Sequence, residues 1–386
     1  MASLNLYLQS VGLKKMMKIE STMGRKLSFH IKKMSDPFAI SNAYAGEKFN
    51  ADHPNISQNY ANINLELGAS HWNYRAWNPE FGDIKRYSLY LWLGSGRYSD
   101  VFLSLQDGKT KCAAKLLKPV NTDRVRRELR ILSILKGGPN ILELWDIVID
   151  GKYGIPAMIT EVVDNIDWRD MFQKMTLDDI RFYSYRLLLA LDFTHKNGIM
   201  HRDVKPVNIL CKDPKKELKL ADWGLAEFYH PMRQYSPCVG TRYYKSPEIL
   251  FDYEYYDYSM DIWAAGVILL EMLSLDIHIF DGESQKCEQI DTIAKVVGGQ
   301  TLVDWTIKYR KQQKPEVVNR LLKFPGTPFE NIIPYARRQF RDPDAVDLLM
   351  MLLKVDHKER CSAEEALCHR FFDPIRNKVY NEVHKT

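Results

Sequence analysis

Residues 201–208 read His-Arg-Asp-Val-Lys-Pro-Val-Asn, and Asp222-Trp223-Gly224 begins 14 positions after Asn208. Together they supply a carboxylate base, a cation and two oxygen ligands. Moving a phosphoryl group onto a hydroxyl requires such parts. A carboxylate orients the hydroxyl and accepts its proton, a cation offsets charge on the moving group, and hard ligands hold a divalent metal. Asp203 suits the base and Lys205 the cation. Asn208 and Asp222 offer carbonyl and carboxylate oxygens of the kind Mg²⁺ takes, and Mg²⁺ keeps several waters, so few protein ligands suffice.

Upstream, Gly94-Ser95-Gly96-Arg97-Tyr98-Ser99-Asp100-Val101 lies between two strand-like runs. A dinucleotide fingerprint needs a strand before it and a helix after it, so this context argues for a glycine-rich hairpin over phosphates. Gly94 and Gly96 let backbone N–H groups approach anionic oxygens, although a plain tight hairpin would carry the same residues. Lys115 closes the apolar run Cys112-Ala113-Ala114 and needs an anion there. Glu128, 13 residues on, is the candidate partner, and a snorkelling surface lysine is the alternative. In Gly240–Glu248 (GTRYYKSPE), Glu248 needs a buried cation, for which Arg360 is the candidate. Asp261 either braces the 201–208 loop or is an ordinary charge at a helix start.

These groups must be held by ordered elements. Residues 86–93, 98–105 and 110–117 read as strands, and 141–149 and 156–162 as two more. Residues 121–136 place Val125, Leu129, Leu132 and Leu135 at helical spacing, ending at Gly137-Gly138-Pro139. After Asp167 the chain turns helical. Thr176 caps a helix over 176–196 and Gly198 closes it, while 259–275 is apolar all round, as in a buried central helix. Further helices are expected near 284–297, 344–354 and 363–369.

Composition bounds the class. Of 386 residues, 45% are hydrophobic and 27% charged, an ordinary soluble balance with no run long enough to span a membrane. Six scattered cysteines without a CxxC pair read as free thiols, most of them buried, in a reducing compartment. The net charge of +5 is carried by the first 35 residues, where seven basic residues face Glu20 alone, so it says little about a nucleic-acid groove on the body. Residues 1–68 read as a basic, partly disordered extension, with a targeting signal as the lesser alternative. Residues 69–386 read as one domain with an N-lobe over about 86–164 and a C-lobe over about 165–373.

Five stretches together resemble the catalytic alpha subunit of casein kinase II, in the eukaryotic protein kinase superfamily. They are DWGLAEFYHP (222–231), RFYSYRLLLALDFTHKNGIMHRDVKP (181–206), GGPNI (137–141), LKPV (117–120) and YDYSMDIW (256–263). The likeness covers about residues 71–373. It implies an α+β, bilobal protein-kinase fold, with a small antiparallel-sheet N-lobe carrying one main helix and a larger, mostly helical C-lobe. It implies transfer of the ATP γ-phosphate to Ser or Thr of proteins, without activation-segment phosphorylation. Asp203 and Lys205 are then catalytic, and Asn208 and Asp222 hold Mg²⁺. ATP is held by Leu93, Gly94, Ser95, Gly96, Arg97, Tyr98, Ser99, Asp100, Val101, Lys115, Glu128, Glu161, Val163 and Leu210. Arg126, Arg127, Arg242 and Lys245 read substrate acids. Trp72 and Tyr74 belong to a segment that packs on the activation segment, with Tyr229 as a contact. The implied partners are protein substrates and a regulatory beta subunit, which docks on the outer sheet face where Leu89 and Phe102 stand. The implied compartments are cytoplasm and nucleus.

The chain departs from that pattern at its recognition surfaces. Asn121-Thr122-Asp123-Arg124 replaces a run of four lysines, and Cys238 replaces an arginine. Each lost rim cation weakens an acidic contact by roughly 0.2–1 kcal/mol. Thr160 stands for the gatekeeper Phe, and Ala113 and Ala221 for bulkier residues around the purine, so a roomier pocket is expected and the family's use of GTP beside ATP is put in question. Two other classes stay open: a scaffold that transfers no phosphate, and a kinase gated by phosphorylation at Tyr235 or Ser236.

Overall fold

The computed structural model describes residues 2–3, 51–96, 99–118, 122–151, 154–212, 217–282 and 286–376. They divide into two compact units. The first holds Ala69–Gly137 and Leu142–Asp164, with a short strand at Ala2–Ser3. The second holds residues 51–68, Gly138–Ile141 and the chain from Asn165 onward.

The first unit is built on one antiparallel sheet. Its strands are β1 (Ala2–Ser3), β2 (Tyr87–Ser95), β3 (Ser99–Gln106), β4 (Thr110–Leu117), β5 (Leu144–Ile149) and β6 (Pro156–Thr160), in the order β1-β2-β3-β4-β6-β5. The period-two apolar pattern of β3 and β4 sets the register, which pairs Val101 with Lys115 and Ala113 with Thr160. Tyr87, Leu89, Phe102, Cys112, Ala114, Leu116, Val148, Ile155, Ala157 and Ile159 form one buried cluster. Leu89 and Phe102, expected on an outer docking face, are only 6% and 8% exposed there. The helix Thr122–Leu135 buries Leu129, Leu132 and Leu135 of the apolar set read from the sequence, leaves Val125 half-buried and buries Ile131 as well.

The second unit is mostly helical. Thr176 caps the helix Leu177–Lys196 through a reciprocal box with Asp179. The helix Ser259–Ser274 is buried along all 16 of its residues, so it can contact the unit's other elements on every side. Helices at Trp168–Lys174, Pro247–Leu250, Gly299–Lys308, Pro315–Leu321 and Phe329–Ile332 add to those expected. Among the described residues, no helix is long and apolar enough to cross a membrane.

Residues 51–68, assigned to the extension from sequence, are packed on this unit. The helix Ile63–Leu67 buries Asn64, whose amide donates to the carbonyls of Gly198 (2.7 Å) and Tyr229 (2.8 Å). Gly198 has φ +71°, and a Cβ there would overlap the Asn64 side chain, so glycine is required twice over. The Ser57 amide donates to the Tyr229 hydroxyl (2.7 Å), and the Lys358 ammonium donates to the Ala51 and Ile56 carbonyls. Tyr60 packs edge-on to Tyr258 beside the cluster of Met200, Tyr229, Tyr235, Val239, Ile249, Tyr256 and Met260. The stretch lacks an apolar period because polar contacts to backbone, rather than an apolar face, hold most of it. Residues 4–50 lie outside the described residues.

Glu248 finds the partner expected for it. The Arg360 guanidinium lies 2.8 Å from its carboxylate with both side chains fully buried, and also donates to the Ser259 and Lys354 carbonyls. Burial pushes the Glu248 pKa up, but Arg360 outweighs it and holds the carboxyl below its ordinary value. Arg360→Ala would strand a buried charge and is expected to cost about 3–5 kcal/mol. Urea denaturation reads this. Adding Glu248→Gln should recover part of the loss, and a cost below about 1 kcal/mol for the single variant would contradict a buried pair.

Candidate active site

Asp203 lies between β7 (Ile199–Met200) and β8 (Ile209–Lys212), where one acidic side chain shapes the loop. Asp261, near the start of the central helix, accepts from the backbone N–H of His201 and of Arg202, each at 2.8 Å, and lies 3.0 Å from His195 Nε2. Burial pushes its pKa up, yet the His195 bond and the nearby imidazoles and amides outweigh it, so the carboxyl is held below its ordinary value. Of the two readings left open for Asp261, the brace is therefore the one the structure shows. Arg202 sits at φ 65°, a left-handed conformation that this grip sustains. Gly240, at φ +75°, approaches closely: a Cβ there would lie 3.1 Å from the Arg202 carbonyl.

The residues read as chemical are joined around Asp203. Lys205 Nζ is 2.7 Å from its Oδ2. The Thr241 hydroxyl donates to Asp203 Oδ1 and accepts from Lys205 Nζ, both at 2.8 Å. Asn208 Nδ2 donates to the Asp203 carbonyl at 2.9 Å. That orientation leaves the Asn208 amide oxygen directed elsewhere, as a metal ligand requires. Thr241 carries no sequence signal of its own, and only its place in the activation segment could have suggested the lock.

The antiparallel pairing of β8 with β9 (Glu217–Leu220) brings Asn208 and Asp222 to one end of a hairpin. Ile209 faces Leu220, and the Ala221 amide donates to the Asn208 carbonyl (2.8 Å). Asp222 adopts φ 62°, a conformation costly for a residue with a Cβ and common at functional sites. His201 Nε2 reaches the Ala221 carbonyl (3.1 Å), and its ring packs edge-on to Trp223, 4.7 Å between centroids. Trp223 thus fills the space under the loop as a buried hydrophobe. The carbonyl and carboxylate oxygens of Asn208 and Asp222 are of the kind a divalent ion carried in with phosphates takes. Among the described residues no cluster of three His, Cys, Asp or Glu makes a metal cage of its own.

The first unit holds the other expected groups. Lys115 Nζ lies 2.7 Å from Glu128, which is buried on the Thr122–Leu135 helix. The Gly96 amide donates to the Ser99 carbonyl (2.8 Å) and closes the hairpin. Gly94 and Gly96 have no positive φ. A Cβ would meet nothing within 4 Å at Gly94 and only the Ser99 carbonyl, at 3.8 Å, at Gly96. Among the described residues, packing therefore does not demand glycine at either position. Lys118 clamps the same loop, 2.9 Å from Asp100 and donating to Ser95 Oγ and the Gly96 carbonyl, a role its sequence position did not announce. Leu93 is exposed, and Val101, Glu161 and Val163 are half-buried in this unit, while Leu210 lies in the second unit. Arg97 and Tyr98 lie outside the described residues, as does Asn121.

Of the residues expected to read substrate acids, Arg126 donates to the Arg75 carbonyl (2.8 Å) and Arg127 lies on the same helix. Asp123 pairs with Arg75 at 2.8 Å. Arg242 pairs with Asp281, and Lys245 is half-buried, with burial lowering its pKa. Cys112, Cys211 and Cys361 are buried free thiols pushed up to about 11, 12 and 12 by desolvation.

Beneath the activation segment, Glu271 is fully buried. It accepts from the Tyr244 hydroxyl (3.1 Å) and the His278 amide (2.8 Å). Burial raises its pKa from 4.5 to about 7, with Asp276 adding to the rise and the two donors offsetting part of it. The folded chain therefore holds a proton that the unfolded chain releases above about 4.5. That contribution, on the order of 3 kcal/mol, is full below the unfolded pKa and is lost as pH rises through about 7. Denaturation midpoints measured from pH 5 to 8 should fall with rising pH, and Glu271→Gln should flatten that fall; an unchanged slope in the variant would contradict the assignment.

The family model described as the protein kinase domain matches residues 87–372.

Proposed function

Because the chain belongs to the protein kinase domain family, we propose that this ATP-dependent protein kinase phosphorylates serine and threonine, and that it is of casein kinase II alpha type. The observation that carries the reading is the lock of Asp203, Lys205 and Thr241 next to Asn208 and Asp222. Asp203 is the base for the acceptor hydroxyl, and Lys205, held 2.7 Å away, steadies the charge of the transferring group. Asn208 and Asp222 would hold Mg²⁺, which would supply neutralisation of phosphate charge. Lys115, fixed by Glu128, would hold the nucleotide's phosphates, with Glu161 and Val163 beside the base.

Activity without activation-segment phosphorylation is supported by what already surrounds Arg202. Its guanidinium donates to the Tyr256 hydroxyl (2.9 Å) and the Leu225 carbonyl (2.8 Å) and lies 3.8 Å from Glu227. A cation that could recruit a phosphate is thus engaged by the chain's own groups. Tyr235, a candidate phosphosite, is buried, and its hydroxyl donates to the Phe228 carbonyl (3.0 Å). The contacts of Ser57 and Asn64 with Tyr229 hold the same segment from the other side. A regulatory beta subunit using Leu89 and Phe102 would first have to uncover both side chains, so the reading gives the isolated chain activity of its own. Work in cytoplasm or nucleus belongs to the same reading.

Asp203→Asn should lower phosphate transfer to a mixed Ser/Thr peptide pool by at least about 10³-fold while leaving the unfolding midpoint nearly unchanged. A wild type as silent as the variant in Mg-ATP would favour the scaffold alternative. Thr160 and Ala113 pair across β4 and β6, and both are smaller than the residues the resemblance implies around the purine. We expect kcat/KM for ATP and GTP to differ by tenfold or more, about 1.4 kcal/mol, because a roomier pocket holds the purine less selectively by shape and more by its hydrogen bonds at Glu161 and Val163. Equal use of both nucleotides would show that these substitutions are silent.

A further inference from the structure

Arg242 follows Thr241, whose hydroxyl bonds both Asp203 and Lys205, so its backbone lies one residue from the acceptor site. Its position is tightly set. The Gln289 amide, on a buried side chain, donates to the Arg242 carbonyl. The guanidinium lies 4.9 Å from the Tyr243 ring centre, and Tyr243 stacks on His278 at 3.7 Å and 11°. On this platform the guanidinium is paired with the carboxylate of Asp281. Both side chains are partly exposed, 33% and 44%, so the pair is formed at a surface that an incoming peptide can reach.

Resting on the kinase reading above, we propose that Asp281 sets substrate specificity by occupying Arg242. A carboxylate on the peptide and the carboxylate of Asp281 compete for one guanidinium. Arg242 lies over the Tyr243 ring and its backbone carbonyl is held by Gln289, which keeps the guanidinium beside Asp281. An acid at the substrate position that Arg242 faces therefore gains little over an uncharged residue there. The competition is between exposed charges in water, so it tunes KM by a modest factor and leaves the phosphate-transferring groups untouched.

The test compares kcat/KM for paired serine peptides, identical but for Asp or Ala at each of the three positions after the acceptor. Wild type should show Asp:Ala ratios within about twofold of one. Asp281→Asn, with Asp281→Ala as a second variant should the first fold poorly, should raise the ratio at one position by about three- to tenfold. The gain should appear in KM with kcat constant, and shrink as salt is raised. It should vanish when Arg242→Ala is added. Unchanged ratios in both Asp281 variants, a gain that survives without Arg242, or a tenfold acid preference in wild type would each overturn the proposal. A wild type that phosphorylates no peptide overturns the kinase reading as well, and so is distinguishable from failure at Asp281 alone.

Discussion

One buried carboxylate, Asp261, fixes the conformation on which the site depends. Two consecutive amides, of His201 and Arg202, donate to it, which is possible only if the chain turns sharply between them. That turn puts Arg202 in a left-handed conformation and aims Asp203 at the space shared by Lys205 and Thr241. The carboxylate can remain charged while fully buried because three donors face it, and without them desolvation alone would favour the neutral acid. The helix that carries it is apolar on every side, so it cannot rotate to offer a different residue to the loop.

The contacts radiating from this point are mostly to backbone. His201 reaches the Ala221 carbonyl, Arg202 the Leu225 carbonyl, Asn208 the Asp203 carbonyl, and Asn64 those of Gly198 and Tyr229. Side chains that bond backbone hold a loop's path without depending on the loop's own residue types. On the proposed reading this is how the activation segment keeps a working shape without added phosphate. Glu227 and Tyr256 supply the partners for Arg202 from within the chain, and Arg233 adds a second cation, 3.6 Å from Glu227, that balances the buried acid.

Much of the centre was legible in the sequence because its residues are unusual for their surroundings. A lysine ending an apolar strand and an acid inside an apolar helix need partners, so Lys115, Glu128, Glu248 and Arg360 could be paired before any coordinates. Asp203, Asn208 and Asp222 stood out because three oxygen groups fall within a short stretch around a tight hairpin. What stayed hidden was built from ordinary residue types acting over long separations. Asn64 and Ser57 looked like parts of a polar tail, since a five-residue helix has no readable period and their partners lie more than 130 positions away. Thr241 and Lys118 are common residues whose roles arise only once the loops close. Leu89 and Phe102 alternate correctly for a sheet, but alternation does not reveal that their face is covered. Asp281 and Arg242, 39 residues apart, are surface charges that no pattern links.

On the proposed reading, buried contacts of the chain itself, rather than an added phosphate, hold the catalytic loop and activation segment in working order. The most direct measurement is the rate of peptide phosphorylation by protein made in bacteria, treated with phosphatase and verified by intact mass to carry no phosphate. The account predicts full turnover with Mg-ATP from the first seconds, with no lag and no gain in rate on phosphorylation of Tyr235 or Ser236. Silence until one of those residues is phosphorylated would contradict it.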